Sequence, residues 1–580
     1  MKRPIIKLAA FLFSVFCFLV IISSVAYAGE ITIIYTGDTH AMLYPCNCPI
    51  EPDGGIARRV ALIKELREKY PACLVLDSGN FFAGGLLDEY TQNTGLDKRR
   101  TMINLKGMEM AGYDAVAVGD AEFNFGKDFL LENIAQAQMP FLSSNINLSK
   151  FLPSLVKEID GVKIGIVGLT APLAAQKAEG LKFIDPEIAL AAQVNELKKN
   201  GADVIVLLSN LQTEENLVLI QNIKGIDIVI EGGDAQGKPF TKIGDAAVVK
   251  ASRQGRRLGK LTFSLKDNKL TDFKSENLRL SDEIKNDQDV LSVLPMCFTD
   301  ANCRQDGLEG ACKGPGENNA SCVFEKSNPV KLLVITASKC KTCNTYEVIE
   351  SLKKHFPGLD ISYLYYPGRK AQKFINDFAI GALPAYLFGA EVEKDRKFAN
   401  FKKDLAKKDG YYLLSPQASG IAYFINRKEE KKRFDLFLSL FDKNSRQVLE
   451  VTREFNPEVH FLAAEKGEGF DAAAGSIEAE EYLRAACLKK YYPGKFWDYI
   501  SCRAADINTS WWEDCAGEVD RDKIKACARG DEGKGLLRDN ISINKEIHVL
   551  FGPVYMINNN EIFSSKGAIS KEELERVIKK

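Results

Sequence analysis

Cys340-Lys341-Thr342-Cys343 is a pair of thiols spaced for dithiol chemistry. At that spacing Cys343 can attack a mixed disulfide formed at Cys340. Lys339 and Lys341 add positive charge, and a helix expected to begin at Cys340 would favour its thiolate. A stable disulfide or half of a zinc site would use the same spacing; the strand before it and the helix after it favour the redox reading. A second set of residues follows apolar runs in the first half of the chain. These are Asp38-Thr39-His40, Asp77-Ser78-Gly79-Asn80, Asp120-Ala121-Glu122, Ser209-Asn210 and Asp234-Ala235-Gln236. Oxygen-bearing side chains gathered at strand ends suit a cation site. Asp and Asn also initiate turns after strands, but a series of such clusters in order is more specific than one. Cys46 and Cys48 follow the first cluster directly. They are either a redox or metal-binding pair or two thiols joined to distant cysteines, with Cys73 one candidate partner.

The elements that must position these groups are legible as an α/β pattern. Ile31 to Tyr35, Leu74 to Leu76, Ala115 to Val118, Lys163 to Val167, Val204 to Leu208 and Asp227 to Ile230 read as buried strands. Val60, Ile63, Leu66 and Tyr70 fall on one face of a helix between the first two. Residues 281–328 hold Cys297, Cys303, Cys312 and Cys322 with few core formers, which reads as a connector held by structural disulfides. A new α/β unit starts at Leu332 to Thr336, continues through Asp360 to Tyr365, and enters a strand over Ala382 to Leu387 through Pro384. Another starts with Phe434 to Phe441 and ends with a strand entered through Pro553. Between them lies a helical stretch bearing Cys487, Cys502, Cys515 and Cys527, read as two further structural disulfides.

The N-terminus has basic residues at Lys2 and Arg3, an apolar run to Val25 and Ala26-Tyr27-Ala28, the layout of a secretory signal peptide. Export to the periplasm or the exterior, an oxidising compartment, is the expectation; an uncleaved segment would be the one route to a membrane. The 580 residues suggest several domains, and 14 cysteines suit that compartment. A formal net charge of -1 implies no nucleic-acid partner.

In order and spacing, the polar clusters resemble the 5'-nucleotidase branch of the calcineurin-like metallophosphoesterases. Asp38-Thr39-His40 matches its Asp-x-His, and Gly54-Gly55-Ile56-Ala57-Arg58 the segment that opens its first helix. The resemblance implies a four-layer α/β domain over 29–280 after a signal at 1–28. It implies metal ligands at Asp38, His40, Asn80, Asp120, Asn210, Asp234 and Gln236. Several depart from the pattern: Asn80 replaces a bridging Asp, Asp120 an Asn, Ala121 a His, and Asn210, Asp234 and Gln236 three His. His40 is the single histidine in the domain. The substituted set suits a hard divalent cation such as calcium or magnesium, or none. Residues 329–432 resemble the thioredoxin fold, with Cys340 as nucleophile, Cys343 resolving and Pro384 facing them in cis. Residues 433–580 are similar to a DsbA-type thioredoxin-like domain with a helical insertion and no Cys-x-x-Cys.

Three functions follow. The first is an exported thiol-disulfide oxidoreductase, acting on protein thiols or disulfides, with a catalytically silent phosphoesterase-like platform. The second is a divalent-metal-dependent hydrolase of a phosphoester small molecule. The third is a non-catalytic binding or scaffold protein.

Overall fold

The computed structural model describes residues 30–578 apart from 47, 49–50, 86–87, 233–239, 267–268, 468, 508 and 566. The expected signal segment, Asp234 and Gln236 lie outside the described residues. The chain divides into two compact units. One holds the described residues up to 305 together with 309–325; the other holds 306–308 and the described residues from 326 on.

The first unit contains two six-stranded mixed sheets. The first runs Lys269–Arg279, Arg257–Lys266, Ile31–Thr36, Cys73–Asp77, Ala115–Ala117, Phe141–Leu142. The second runs Ser154–Ile159, Val162–Leu169, Val204–Ser209, Ile228–Glu231, Ala246–Lys250, Phe240–Ile243. Strand periodicity explains why the central strands read as unbroken apolar runs. Ile31, Ile33 and Tyr35 of one sheet share a core with Ile164, Ile166, Val204 and Val206 of the other. The alternate residues Ile34 and Val75 face outward, onto Ile56, Val60 and Ile63 of the Ile56–Lys69 helix. Ile205 and Leu207 pack likewise on Leu190 and Val194 of the Pro186–Lys199 helix. Helix, sheet, sheet and helix give four layers. Because the parallel strands of each sheet run in the same sense, their carboxyl ends, where the polar clusters lie, come to one edge.

The connector cysteines form the disulfides Cys297–Cys312 and Cys303–Cys322.

The second unit also has two main sheets. One orders Leu359–Tyr366, Val330–Ala337, Ala385–Gly389, Tyr411–Leu414 and Leu405–Lys408. The other orders Ala382–Leu383, Tyr423–Phe424, Glu561–Ser564, Val554–Ile557, Phe434–Leu438 and Glu458–Phe461. The strand expected over Ala382 to Leu387 is therefore split at Pro384. Proline has no N–H to give to a ladder, and the two pieces join different sheets. Among the described residues, five α-helices between Ser476 and Glu546 fill the expected insertion, closed by Cys487–Cys527 and Cys502–Cys515. Among the described residues no helix is long and apolar enough to cross a membrane.

Candidate functional site

The strand-end residues of the first unit do converge. Asp38 follows Ile31–Thr36, Asn80 follows Cys73–Asp77, Asp120 follows Ala115–Ala117 and Asn210 follows Val204–Ser209. The chain turns so sharply that Asp38, His40, Ala41 and Asn80 take φ values of 47, 43, 48 and 60°. The left-handed region is uncommon for residues with a Cβ and gathers at functional loops. Glu122 holds the turns together. Its buried carboxylate accepts from the backbone N–H of Gly119, Asn80, Phe81 and Phe82 at 2.6–3.0 Å. Burial pushes its pKa up to about 8 against the pull of those donors. The same effect takes buried Asp77 to about 6, against donors at Thr36 and Gly79. Glycine is required between the strand ends: a Cβ on Gly119 would lie 2.3 Å from Asn80 Oδ1 and 2.8 Å from Asn210 Oδ1.

Within this frame the polar side chains satisfy one another. The Asn80 amide oxygen accepts from Ala121 N–H at 2.9 Å, which fixes the amide's orientation, so that its NH2 donates to Asp38 Oδ1 at 2.8 Å. Asn210 Oδ1 accepts from Asp120 N–H at 3.0 Å. The Asp120 carboxylate is paired with the ammonium of Lys177 at 2.5 Å, and Lys177 also donates to Asn124 at 2.8 Å. Sequence reasoning misses Lys177, since it lies 57 residues from Asp120 and in no recognisable cluster. His40 is 2% exposed, and its ring interacts with the backbone of Phe82. Burial lowers its pKa, with the Asp38 carboxylate the largest opposing influence.

Two of the described residues that the resemblance implies as ligands are already engaged by other side chains. A bridging position needs a carboxylate with free lone pairs; the amide at Asn80 turns its N–H groups on Asp38 instead. An ammonium already neutralises Asp120. His40, with the Asp38 carboxylate beside it, is buried at the same strand ends.

None of Cys46, Cys48 and Cys73 is joined in a disulfide among the described residues. The alternative pairing of Cys46 or Cys48 with Cys73 is thus absent. Cys46 Sγ donates to the Glu51 carbonyl at 3.2 Å and Cys73 Sγ to that of Leu74 at 3.6 Å. Burial pushes the Cys73 thiol up to about 11, so it is inert at neutral pH.

In the second unit Cys340 and Cys343 form a disulfide just beyond the Val330–Ala337 strand. They lie partly buried beside Ile335, Ala337 and Leu383. Leu383–Pro384 is cis, and the pairing of Ile335 with Ala385 carries Pro384 alongside Thr336. The helix does not begin at Cys340 as expected; it spans Tyr346–His355. The reason is visible in the loop's hydrogen bonds. Lys341 N–H and Thr342 N–H both donate to Glu561 Oε1, at 2.6 and 2.7 Å, and Asn344 Oδ1 accepts from Tyr346 N–H at 2.9 Å. Amides that would open a helix are thus turned onto a carboxylate more than two hundred residues away in sequence, which no local signal reveals.

No protein-family model matches the chain. It is 29% identical over 289 residues to the 5'-nucleotidase of Mus musculus, covering 43% of this chain and 49% of that protein. To the snake venom 5'-nucleotidase of Gloydius brevicauda it is 29% identical over 308 residues, 46% of this chain and 51% of that one. Among solved structures it is similar to the 5'-nucleotidase precursor from Thermus thermophilus, with 25% identity, a TM-score of 0.40, and coverage of 47% of this chain and 61% of that chain. The chain spans about half the length of the curated relatives it matches. Taken with the site above, the sequence similarity makes this a chain that carries a 5'-nucleotidase-like phosphoesterase domain.

Proposed function

We propose that the protein is an exported thiol-disulfide oxidoreductase whose phosphoesterase-like domain is catalytically silent and serves as a binding platform. The observation that carries the first part is the Cys340–Cys343 pair, set at a strand end next to a cis proline in a unit we read as two thioredoxin-like halves. Cys340 would attack a substrate disulfide and Cys343 would resolve the mixed disulfide. The silent platform is supported by the Asn80–Asp38 and Lys177–Asp120 contacts, which use up the groups a metal pair would need. Export is supported by the five disulfides among the described residues, since disulfides persist in oxidising compartments. The test is reduction of insulin by the full chain with a dithiol reductant. Wild type should turn over and Cys340→Ser should not; equal rates would end this reading.

One observation favours the hydrolase reading, the buried His40 ring beside the Asp38 carboxylate. If a single divalent cation rests on His40 and Asp38, the purified chain should carry one, and Asp38→Ala should lose it. Metal analysis after dialysis against magnesium, calcium, manganese and zinc decides the point: no retained ion sinks this second reading.

A further inference from the structure

Resting on the exchange reading above, we propose that Glu561 is a positioning residue that sets the redox poise of Cys340 and Cys343 from the second half of the unit. Glu561 begins the Glu561–Ser564 strand and is 5% exposed. One of its oxygens receives both N–H groups that lie between the two cysteines, at 2.6 and 2.7 Å. The same strand takes the Thr342 hydroxyl on the Ile562 carbonyl at 3.1 Å, and Lys341 Nζ reaches the Val577 carbonyl at 3.1 Å. Both residues between the cysteines are thus tied, through backbone and side chain alike, to the C-terminal segment that Glu561 opens.

The consequence is chemical. A thiolate is stabilised by backbone N–H groups and positive charge around it. At this loop the two N–H groups between the cysteines are committed to a carboxylate, and that carboxylate sits in a water-poor place where charge acts strongly. Opening the disulfide takes two electrons and two protons. One thiolate of a glutathione-type reductant attacks one sulfur, forms a mixed disulfide and releases the other cysteine as a thiolate. A second reductant thiolate then attacks the reductant sulfur of that mixed disulfide and displaces the protein cysteine, leaving two cysteine thiols and one oxidised reductant. Glu561 penalises the thiolate formed in the first step and the dithiol state it leads to. It therefore holds the pair toward the disulfide, and the second half, which lacks a Cys-x-x-Cys of its own, acts on the first through one carboxylate.

The experiment equilibrates the full chain with graded ratios of reduced to oxidised glutathione. The state of Cys340 and Cys343 is then read by alkylation and peptide mass spectrometry, separately from the other disulfides. Glu561→Gln keeps the acceptor oxygen and removes the charge; Glu561→Ala removes both. We expect each to shift the equilibrium about tenfold toward the dithiol, which is about 30 mV for two electrons. In the reduced protein, alkylation of Cys340 should reach half its maximal rate at lower pH. A purely structural docking role would leave Glu561→Gln like wild type in both readouts. If the pair opens equally in all three proteins, the role of Glu561 is refuted while the exchange reading stands. If it stays closed in wild type at every ratio but opens in Glu561→Gln, the role of Glu561 is upheld and the exchange reading fails. A pair closed throughout in all three overturns both.

Discussion

At the scale of single residues, the first unit shows two contacts that engage its strand-end carboxylates, Asn80 with Asp38 and Lys177 with Asp120. Lys177 and Asp120 are 26% and 15% exposed at their side chains, so their pairing is only partly screened. Lys177→Met should cost about 1–3 kcal/mol in urea unfolding, the range for losing a hydrogen bond to a charged group. It should also free Asp120 to meet a cation. Added magnesium or calcium is then expected to raise the melting temperature of the variant and leave wild type unmoved. A second residue-scale prediction concerns pH. Asp77 and Glu122 have folded pKa values of about 6 and about 8, above the ordinary 3.8 and 4.5. Between each pair of values the folded state holds more protons than the unfolded one, so their contribution is full below the lower value and is lost as pH rises through the upper. Thermal stability of this unit should therefore fall from about pH 4 to about pH 8. Asp77→Asn can still satisfy Thr36 and Gly79, and should flatten the lower part of that slope; an unchanged slope would show that Asp77 is ionised when folded.

At the scale of elements, the site depends on how closely strand ends approach. Gly119→Ala would drive a methyl group into Asn80 and Asn210, and is expected to destabilise by about 1–3 kcal/mol, read by denaturant titration. The helical insertion is pinned differently. Cys487 and Cys527 are 40 residues apart and both buried. Opening that loop in the double Ser variant should cost about 4 kcal/mol by the chain-entropy argument. The strand elements are legible because fully buried strands are continuous apolar runs, and Leu74 to Leu76 or Val204 to Leu208 need no context to be seen. The helix after Cys343 starts later than its local sequence suggests because Glu561, a residue with no local signature, decides where it begins.

At the scale of the whole molecule, two compact units imply two unfolding events. Calorimetry of the full chain should resolve two transitions, with Asp77→Asn moving one and the Cys487/Cys527 double Ser variant the other. A single transition moved by both would mean that the units fold as one.

What the sequence determined by itself was whatever rests on short-range pattern. The α/β alternation, the order of the polar clusters, the cysteine-rich connector and insertion, and the Cys340–Cys343 spacing all follow from residue type and period. What only the tertiary structure decided was what each polar group meets. That Asn80 turns its amide on Asp38, that Lys177 pairs with Asp120, that the His40 ring meets the Phe82 backbone and that Glu561 seizes the loop between the cysteines are matters of segments far apart in sequence. Hydrogen bonds and ion pairs act over a few ångströms of space, and separation along the chain carries no record of which groups the fold brings that close.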